Sequence, residues 1–512
     1  MKRLFAYTLM LFATAPSLAA DANGYTAKYE CRAGGPKCDI DVTALSQLAC
    51  NQTITTATTP KTDWSAINWS NRVICIQAGD HTGRGTLTIS SSGTSGTRKV
   101  LRYTRSDDNG DKPWKQGEPS GQAVNYQAKI KRIILDGADY WLLHRLTVDG
   151  QKTNAGIGII ELVDGSSSSN IIIDSVLVQN AYMHSVSFAG PYHDNLWIQN
   201  SVIRNCGVWD NDNSGVYVAG GPQVVRVVNN EVYDCTKEMY VSDHGAPGII
   251  VENNDFYITS ALYTDCNGNY NGTGPCAAAE IPVNTKGGGT STDPMVFTHN
   301  RVWGARFSDT GICCAGGTQG MAISTATNPG YPAPNYVLIQ NNIIMDSQQG
   351  IDSYWGTPEG GNNSYIGNIL YNIRRFKTDT ESFAFRPSYQ KNSEYYLNTI
   401  VDVPESWFWH DGSNHDVRCN VLVNSGASHG TPQSGTQVDN NAFYGTPSTS
   451  TSGADVVGNT AADARNVDYC FSRKLLTGPE TICIPNAKAT SASPHYKSCS
   501  TSMGSRPAVG VN

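Results

Sequence analysis

One motif recurs ten times along the chain, and it limits the fold more than any other feature. Each copy is an apolar alternation, then Asn or Ser, then a second apolar stretch. The copies are IIIDSVLVQN (171–180), LWIQNSVIRN (196–205), VVNNEVYD (227–234), VENNDFY (251–257), FTHNRVW (297–303), LIQNNIIMD (338–346), YIGNILYN (365–372), YLNTIVD (396–402), RCNVLVN (418–424) and VDNNAFY (438–444). They align on one column: Ser175, Ser201, Asn230, Asn254, Asn300, Asn342, Asn368, Asn398, Asn420 and Asn441, at intervals of 26, 29, 24, 46, 42, 26, 30, 22 and 21. Such a period, carried by strand-like pieces without helical periodicity, predicts a stacked β-solenoid. A side-chain amide repeated at one turn of successive coils can bond backbone groups that would otherwise be buried unpaired. The two long intervals are expected to hold inserted loops, 259–279 and 305–320.

A second strand column interleaves with the first: HSVSFAG (184–190), GVYVAGG (215–221), EMYVSDH (238–244), EIPVNTK (280–286), GMAISTA (320–326), GIDSYWG (350–356), SFAFRPS (382–388) and SWFWHDG (406–412). Strand side chains alternate between faces. Alternation predicts Val186/Phe188, Val216/Val218, Met239/Val241, Ile281/Val283, Met321/Ile323, Phe383/Phe385 and Trp407/Trp409 inside. It predicts Tyr217, Tyr240, Ser242, Asn284, Ser324, Asp352, Tyr354, Arg386, Phe408 and His410 outside.

Composition agrees. Charged residues are only 16% and Gly reaches 50, which excludes a coiled coil, a basic nucleic-acid binder and a highly charged disordered chain. Lys2-Arg3, an apolar run to Ala15 and the small residues Ser17 to Ala20 read as an export leader over residues 1–20. Its removal takes the net charge from −7 to −9. No apolar run is long enough to span a membrane. A secreted or periplasmic monomer is expected, with 14 cysteines forming disulfides. Local pairs would be Cys31–Cys38, Cys266–Cys276 and Cys470–Cys483. Cys206 and Cys235 each follow their ladder residue by five positions, so they should bond between adjacent coils. The organisation is then a cap (21–72), a solenoid (73–444) and a C-terminal wrapping segment (445–512).

Adjacent coils lie ~4.8 Å apart, so columns of outward residues become neighbours. This alignment stacks Glu238 on Glu280 and His244 on Lys286, with Ser242 and Asn284 between them. Asp210 and Asp212 sit in the loop before. Stacked like charges are unfavourable without a compensating cation, so Glu238, Glu280, Asp210 and Asp212 are candidate ligands for Ca²⁺. An ammonium beside an imidazole, near such carboxylates, suits proton abstraction next to a carboxylate. In a uronic-acid polysaccharide the C5 proton is acidic only when the carboxylate is neutralised. A lysine of depressed pKa can then remove it, and the C4 oxygen leaves. Tyr217, Tyr240, Tyr354 and His410 would stack on sugar rings.

The column of strands and its polar ladder resemble the right-handed parallel β-helix enzymes of the pectate-lyase-like superfamily, over residues 73–444. The strand EIPVNTK (280–286), followed by Gly287 to Gly289, is similar to the motif of the chondroitinase B/alginate lyase family, and to the lysine-base pectate lyases of the same fold. That resemblance implies Glu280 as a Ca²⁺ ligand and Lys286 as the base. It also implies an arginine on the next coil, but that coil reads MAISTA (321–326). Arg301 and Arg306, reaching in from a loop, are the substitutes, with Arg386 three coils on, ~14 Å away.

The expectation is a lyase acting on an acidic polysaccharide, with neither nucleic acid nor membrane as partner. A glycoside hydrolase of the same fold, using two carboxylates among Asp210, Asp212, Asp243, Glu280 and Asp352, is the alternative. A non-catalytic glycan-binding solenoid is the third.

Overall fold

The computed structural model describes residues 40–104, 127–154, 156–207, 213–243, 245, 247–259, 262–264, 276–277, 281–305, 307–308, 318–325, 333–353, 359–375, 381–439, 441–444, 456–457, 465–475 and 478–487. The chain coils through three parallel sheets in a fixed order. Sheet A has 14 strands from Gln52–Ile54 to Gln437–Asp439, sheet B 14 from Gly79–Asp80 to Val456–Val457, and sheet C 11 from Thr86–Ile89 to Ser406–Phe408. Every strand pairs with the strand one coil away. The fold is a right-handed parallel β-helix, the handedness that twisted parallel strands with crossovers adopt. One continuous apolar core runs inside it from Ile54 to Val438.

The turn from sheet A to sheet B carries the polar ladder. Each ladder amide accepts from the coil before it: Asn230 N–H donates to Asn254 Oδ1 at 2.8 Å, Asn254 to Asn300 at 3.0 Å, Asn300 to Asn342 at 2.9 Å and Asn342 to Asn368 at 3.0 Å. The series continues through Asn398 and Asn420 to Asn441. Each Nδ2 also reaches back one coil to a sheet A carbonyl, as Asn342 does to Phe297 O at 3.0 Å. The residue just before the ladder is left-handed: Asn200, Asn229, Asn253, His299, Asn341, Leu397 and Cys419 have φ between 53° and 59°. That conformation costs most side chains about 1–2 kcal/mol, least Asn, which explains the Asn-Asn pairs in the motif.

The first ladder member differs from the expectation. Ser175 is itself the left-handed residue, with φ 54°. Val176 fills the ladder position, and its N–H donates to Ser201 Oγ at 3.1 Å. The ladder therefore starts at Ser201, since valine has no polar group to pass on.

The disulfide Cys206–Cys235 joins adjacent coils, with Cα atoms 4.4 Å apart, as the register required. A second bond, Cys50–Cys75, was not anticipated. It pins a segment from Ile40 that lies along the outer face of sheet A, where Val42 packs with Val73, Val100, Leu142 and Ile172. At its far end Ile40 exchanges two 2.9 Å hydrogen bonds with the Gln199 side chain. Cys470 and Cys483 are opposed in the antiparallel hairpin Arg465–Leu475/Gly478–Ala487. Cys31, Cys38 and Cys266 lie outside the described residues.

Strict alternation fails in sheet C. Met239 and Tyr240 N–H both donate to Pro282 O at 3.0 Å, a bulge that turns two consecutive side chains inward. Ala322–Ile323, Ala384–Phe385 and Trp407–Phe408 likewise contribute consecutive residues to the core. Three expectations are corrected by this shift, because a one-residue slip exchanges the faces. Tyr240 is inside, packed on Phe256 and Phe297. Ser242 is buried, its hydroxyl on Met295 Sδ at 3.7 Å. Phe408 points inward and Trp409 takes the outward place beneath the Arg386 guanidinium.

His410 is also corrected. It is 5% exposed, packed on Phe408, and burial lowers its pKa to about 4. His415, 1% exposed against Tyr395, is lowered to about 4 by burial as well. Both are neutral packing residues.

Two outcomes follow. Asn342→Leu should lower the unfolding free energy by about 1–3 kcal/mol, because Asn300 N–H and Phe297 O lose their buried partners; an unchanged urea midpoint would contradict a structural ladder. The histidines fix a pH response. The unfolded chain protonates them near 6.5 and the folded chain only near 4. The unfolded state thus binds more protons below 6.5, and stability falls as pH drops from 6.5 toward 4, by up to about 3 kcal/mol per histidine. Denaturation midpoints measured across that window should decline, and the His410→Gln/His415→Gln double variant should flatten the decline.

Candidate functional site

The outward face of sheet C collects the polar residues. Its central register column is Tyr217, Val241, Asn284, Ser324, Asp352 and Arg386, each paired with the next. Tyr217 stacks on His184 with ring centroids 4.1 Å apart. Arg386 grips Asp352 through both Nε (3.0 Å) and Nη2, with Phe383 beneath the guanidinium. Two long gaps precede strands of this sheet: between the B strand Asp255–Tyr257 and the C strand Val283–Lys286, and between Arg301–Trp303 and Met321–Ser324.

The densest chemistry lies on three consecutive strands. The register partner of Lys286 is Asp243. The expected pairing with His244 was one residue out, for the same bulge. Lys286 Nζ meets Asp243 Oδ1 at 2.9 Å, with both side chains about an eighth exposed, 13% and 12%. Glu238, just before the bulge, is buried at the other end of its strand. It accepts from Asn284 Nδ2 and from Ser214 Oγ, each at 3.1 Å. Burial raises the Glu238 pKa against the pull of Lys237 and Lys286.

Burial alone would depress Lys286 as well, but Glu238 and Asp243 together outweigh it, and the lysine pKa is raised. The sequence alone predicts the opposite, because an alignment without the bulge places the His244 imidazole, and not Asp243, against Lys286.

Other candidates separate. Arg301 belongs to sheet B, where it is 2% exposed and binds Asp255 through two nitrogens. It does not reach toward Lys286, which corrects its expected role. Trp303 beside it closes a stack with Tyr257 and Tyr233, at 4.4 and 4.9 Å. His244, Arg306, Tyr354, Glu280, Asp210 and Asp212 lie outside the described residues. Among the described residues no three His, Cys, Asp or Glu side chains gather as a metal-holding group. Glu238 already has two hydrogen-bond donors, so no step is assigned to Ca²⁺.

No family model matches the chain, and no curated protein does. Among solved structures, an alginate lyase from Paenibacillus sp. str. FPU-7 is 15% identical, covering 65% of this chain and 97% of its own, with a TM-score of 0.38. A mannuronic acid specific polysaccharide family 6 lyase from human gut microbiota is 11% identical over 79% of this chain and 82% of its own, with a TM-score of 0.42. The catalytic domain of a GH87 α-1,3-glucanase in complex with nigerose is 10% identical over 79% and 70%, with a TM-score of 0.39. Likenesses this low assign no activity to the chain.

Proposed function

We propose that the chain is a polysaccharide lyase that cleaves a uronic-acid-containing polysaccharide by β-elimination along the outward face of sheet C. The observation that carries the reading is Lys286: a partly exposed ammonium held by Asp243, beside the Asn284 amide, on a strand that a long insertion precedes. Lys286 in its amine form takes the C5 proton. Asn284, oriented by its bond to Glu238, hydrogen-bonds the substrate carboxylate as charge moves onto it. A base of raised pKa is the stronger acceptor but is scarce as free amine at neutral pH. Tyr217, on the fifth of the eleven strands of sheet C, and Trp409, just past the last, are aromatic rings that could stack on sugar faces. An oxidising compartment outside the cytoplasm suits the disulfides Cys50–Cys75 and Cys206–Cys235. No helix among the described residues is long and apolar enough to cross a membrane.

A second reading has one observation in its favour. Glu238 is a carboxyl that burial biases toward the protonated form, at the opposite end of the strand that carries the carboxylate Asp243. Such a pair suits acid–base hydrolysis of a glycosidic bond. New reducing ends without the ultraviolet absorbance of an unsaturated uronate would identify the hydrolase; both signals together identify the lyase.

Lys286→Ala should lower turnover roughly 10²–10⁴-fold, and it should also lower the thermal midpoint, because Asp243 loses its ammonium partner in a mostly buried pair. Lys286→Arg should not restore it, since a guanidinium does not release its proton. The pH profile of kcat/KM in the wild type should rise toward the alkaline side, through a lysine pKa above the ordinary value. Asp243→Asn removes a carboxylate that stabilises the ammonium, so the rise should move to lower pH. A profile that instead falls as pH climbs through the lysine range would make Lys286 a cationic clamp and end its assignment as base.

A further inference from the structure

The outward side of sheet A carries two apolar patches. The first runs from Val73 through Val100 and Leu142 to Ile172, and the arm from Ile40 covers it with Val42, Leu45 and Leu48. The second gathers Ile250, Val296, Leu338, Ile366, Tyr396 and Cys419. These side chains face away from the core, since their strand neighbours Val251, Phe297, Ile339, Tyr365 and Tyr395 belong to it. The patch spans five strand steps, ~24 Å. Each of its side chains is nevertheless at most 8% exposed. Among the described residues, the cluster holds only members of sheet A strands and their immediate neighbours. Burial this complete on the outside of a parallel sheet requires a covering segment.

Cys419 says which segment. It is disulfide-bonded, and the four cysteines of the bonds Cys50–Cys75 and Cys206–Cys235 are taken. Cys470 and Cys483 oppose each other in the C-terminal hairpin. Cys266, Cys276, Cys313 and Cys314 belong to insertions between sheets B and C, at least four coils before that of Cys419. At the other end of the chain, Gln199 holds Ile40 seven strand steps, ~34 Å, from the strand before Cys419. Cys38 is two residues from Ile40 and falls far short. Cys31 is nine residues away and would have to run nearly straight. Residues 31–39 also offer no apolar side chain beyond Ala33 and Pro36 to fill a patch. Cys499 remains. The 12 residues from the hairpin's end at Ala487 to Cys499 span up to ~40 Å, more than the patch needs.

Residues 488–512 suit the patch in composition and in charge. They carry Tyr496, Met503, Val509 and Val511, and their charged side chains are all basic: Lys488, Lys497 and Arg506. The outward side of sheet A within the patch bears the buried carboxylates Glu252 and Glu394.

We propose that residues 488–512 lie along the second patch as a C-terminal strap, locked by a disulfide between Cys419 and Cys499. The bond forms by exchange with a disulfide donor of the same oxidising compartment. The two thiols give up two protons and two electrons, and the donor disulfide becomes two thiols. Arms from both ends of the chain then close the outward side of sheet A to ligands. The strap does not depend on the chemistry at Lys286.

Two measurements on the full oxidised chain test it. In the first, free thiols are alkylated without reductant, the chain is digested at mildly acidic pH to suppress exchange, and linked peptides are read by mass spectrometry. The expected product joins the peptide of Cys419 to that of Cys499. Cys419 joined to Cys31, or to any cysteine but Cys499, overturns the proposal. In the second, Ile366→p-benzoylphenylalanine places a photo-cross-linker within the patch, and irradiation should capture residues 488–512. Capture of residues 1–39, capture of a second copy, or no capture overturns the strap, even where the disulfide is found. Where that variant does not fold, hydroxyl-radical labelling of the wild type decides. Tyr496 should be protected while Tyr192 and Tyr389, 62% and 49% exposed, are labelled. Labelling of Tyr496 as fast as those two overturns the strap.

Discussion

Stacked side-chain amides at one turn hold this structure in register. A parallel solenoid buries the same backbone groups in every coil, and at a tight corner the neighbouring strand cannot satisfy them all. From Ser201 to Asn441 a polar side chain answers the N–H of the coil before it, and each Asn reaches back for a carbonyl as well. The bond repeats between coils and the left-handed residue beside it repeats too, so the corner has the same shape throughout. Loops of very different length can then leave the next corner without disturbing the stack.

That regularity converts sequence columns into surface chemistry. Residues about 25 to 45 positions apart become neighbours on sheet C, so an acidic residue on one coil and a basic residue on the next form an ion pair without any local design. Lys286 and Asp243 are 43 positions apart in sequence and 2.9 Å apart in space. Asp352 and Arg386 form the same kind of pair three strands on. The bulge at Met239–Tyr240 sets which side chains join this face. It sends a tyrosine into the core, and it leaves Glu238 on the outer side, where Asn284 and Ser214 close over it.

Burial and charge then compete at each group. Burial wins at Glu238, whose carboxyl is pushed toward protonation, and at His410 and His415, which stay neutral. At Lys286 it loses to two carboxylates. The sign for a mostly buried lysine depends on what stands within a few ångströms of its nitrogen, and that is a property of the register.

The solenoid, its ladder and the Cys206–Cys235 bond were legible in the sequence because each rests on a repeat that survives small errors of alignment. The outward places of Tyr217, Asn284, Asp352 and Arg386 were legible for the same reason, since period-two patterning holds where strands are regular. The faces of Tyr240, Ser242, Phe408 and His410 were not, because a bulge inserts one residue and no composition signal marks it. Ser175 misled in the same way, a polar residue one place ahead of the true column. Arg301 shared a coil with Lys286 but not a sheet, and only the path of the chain around the corner separates them. The sequence by itself determined the architecture and the column on which the chemistry stands, since both follow from periodicity. Tertiary structure alone decided which carboxylate holds Lys286 and how its pKa moves, because a shift of one residue in strand pairing exchanges Asp243 for His244 as its neighbour.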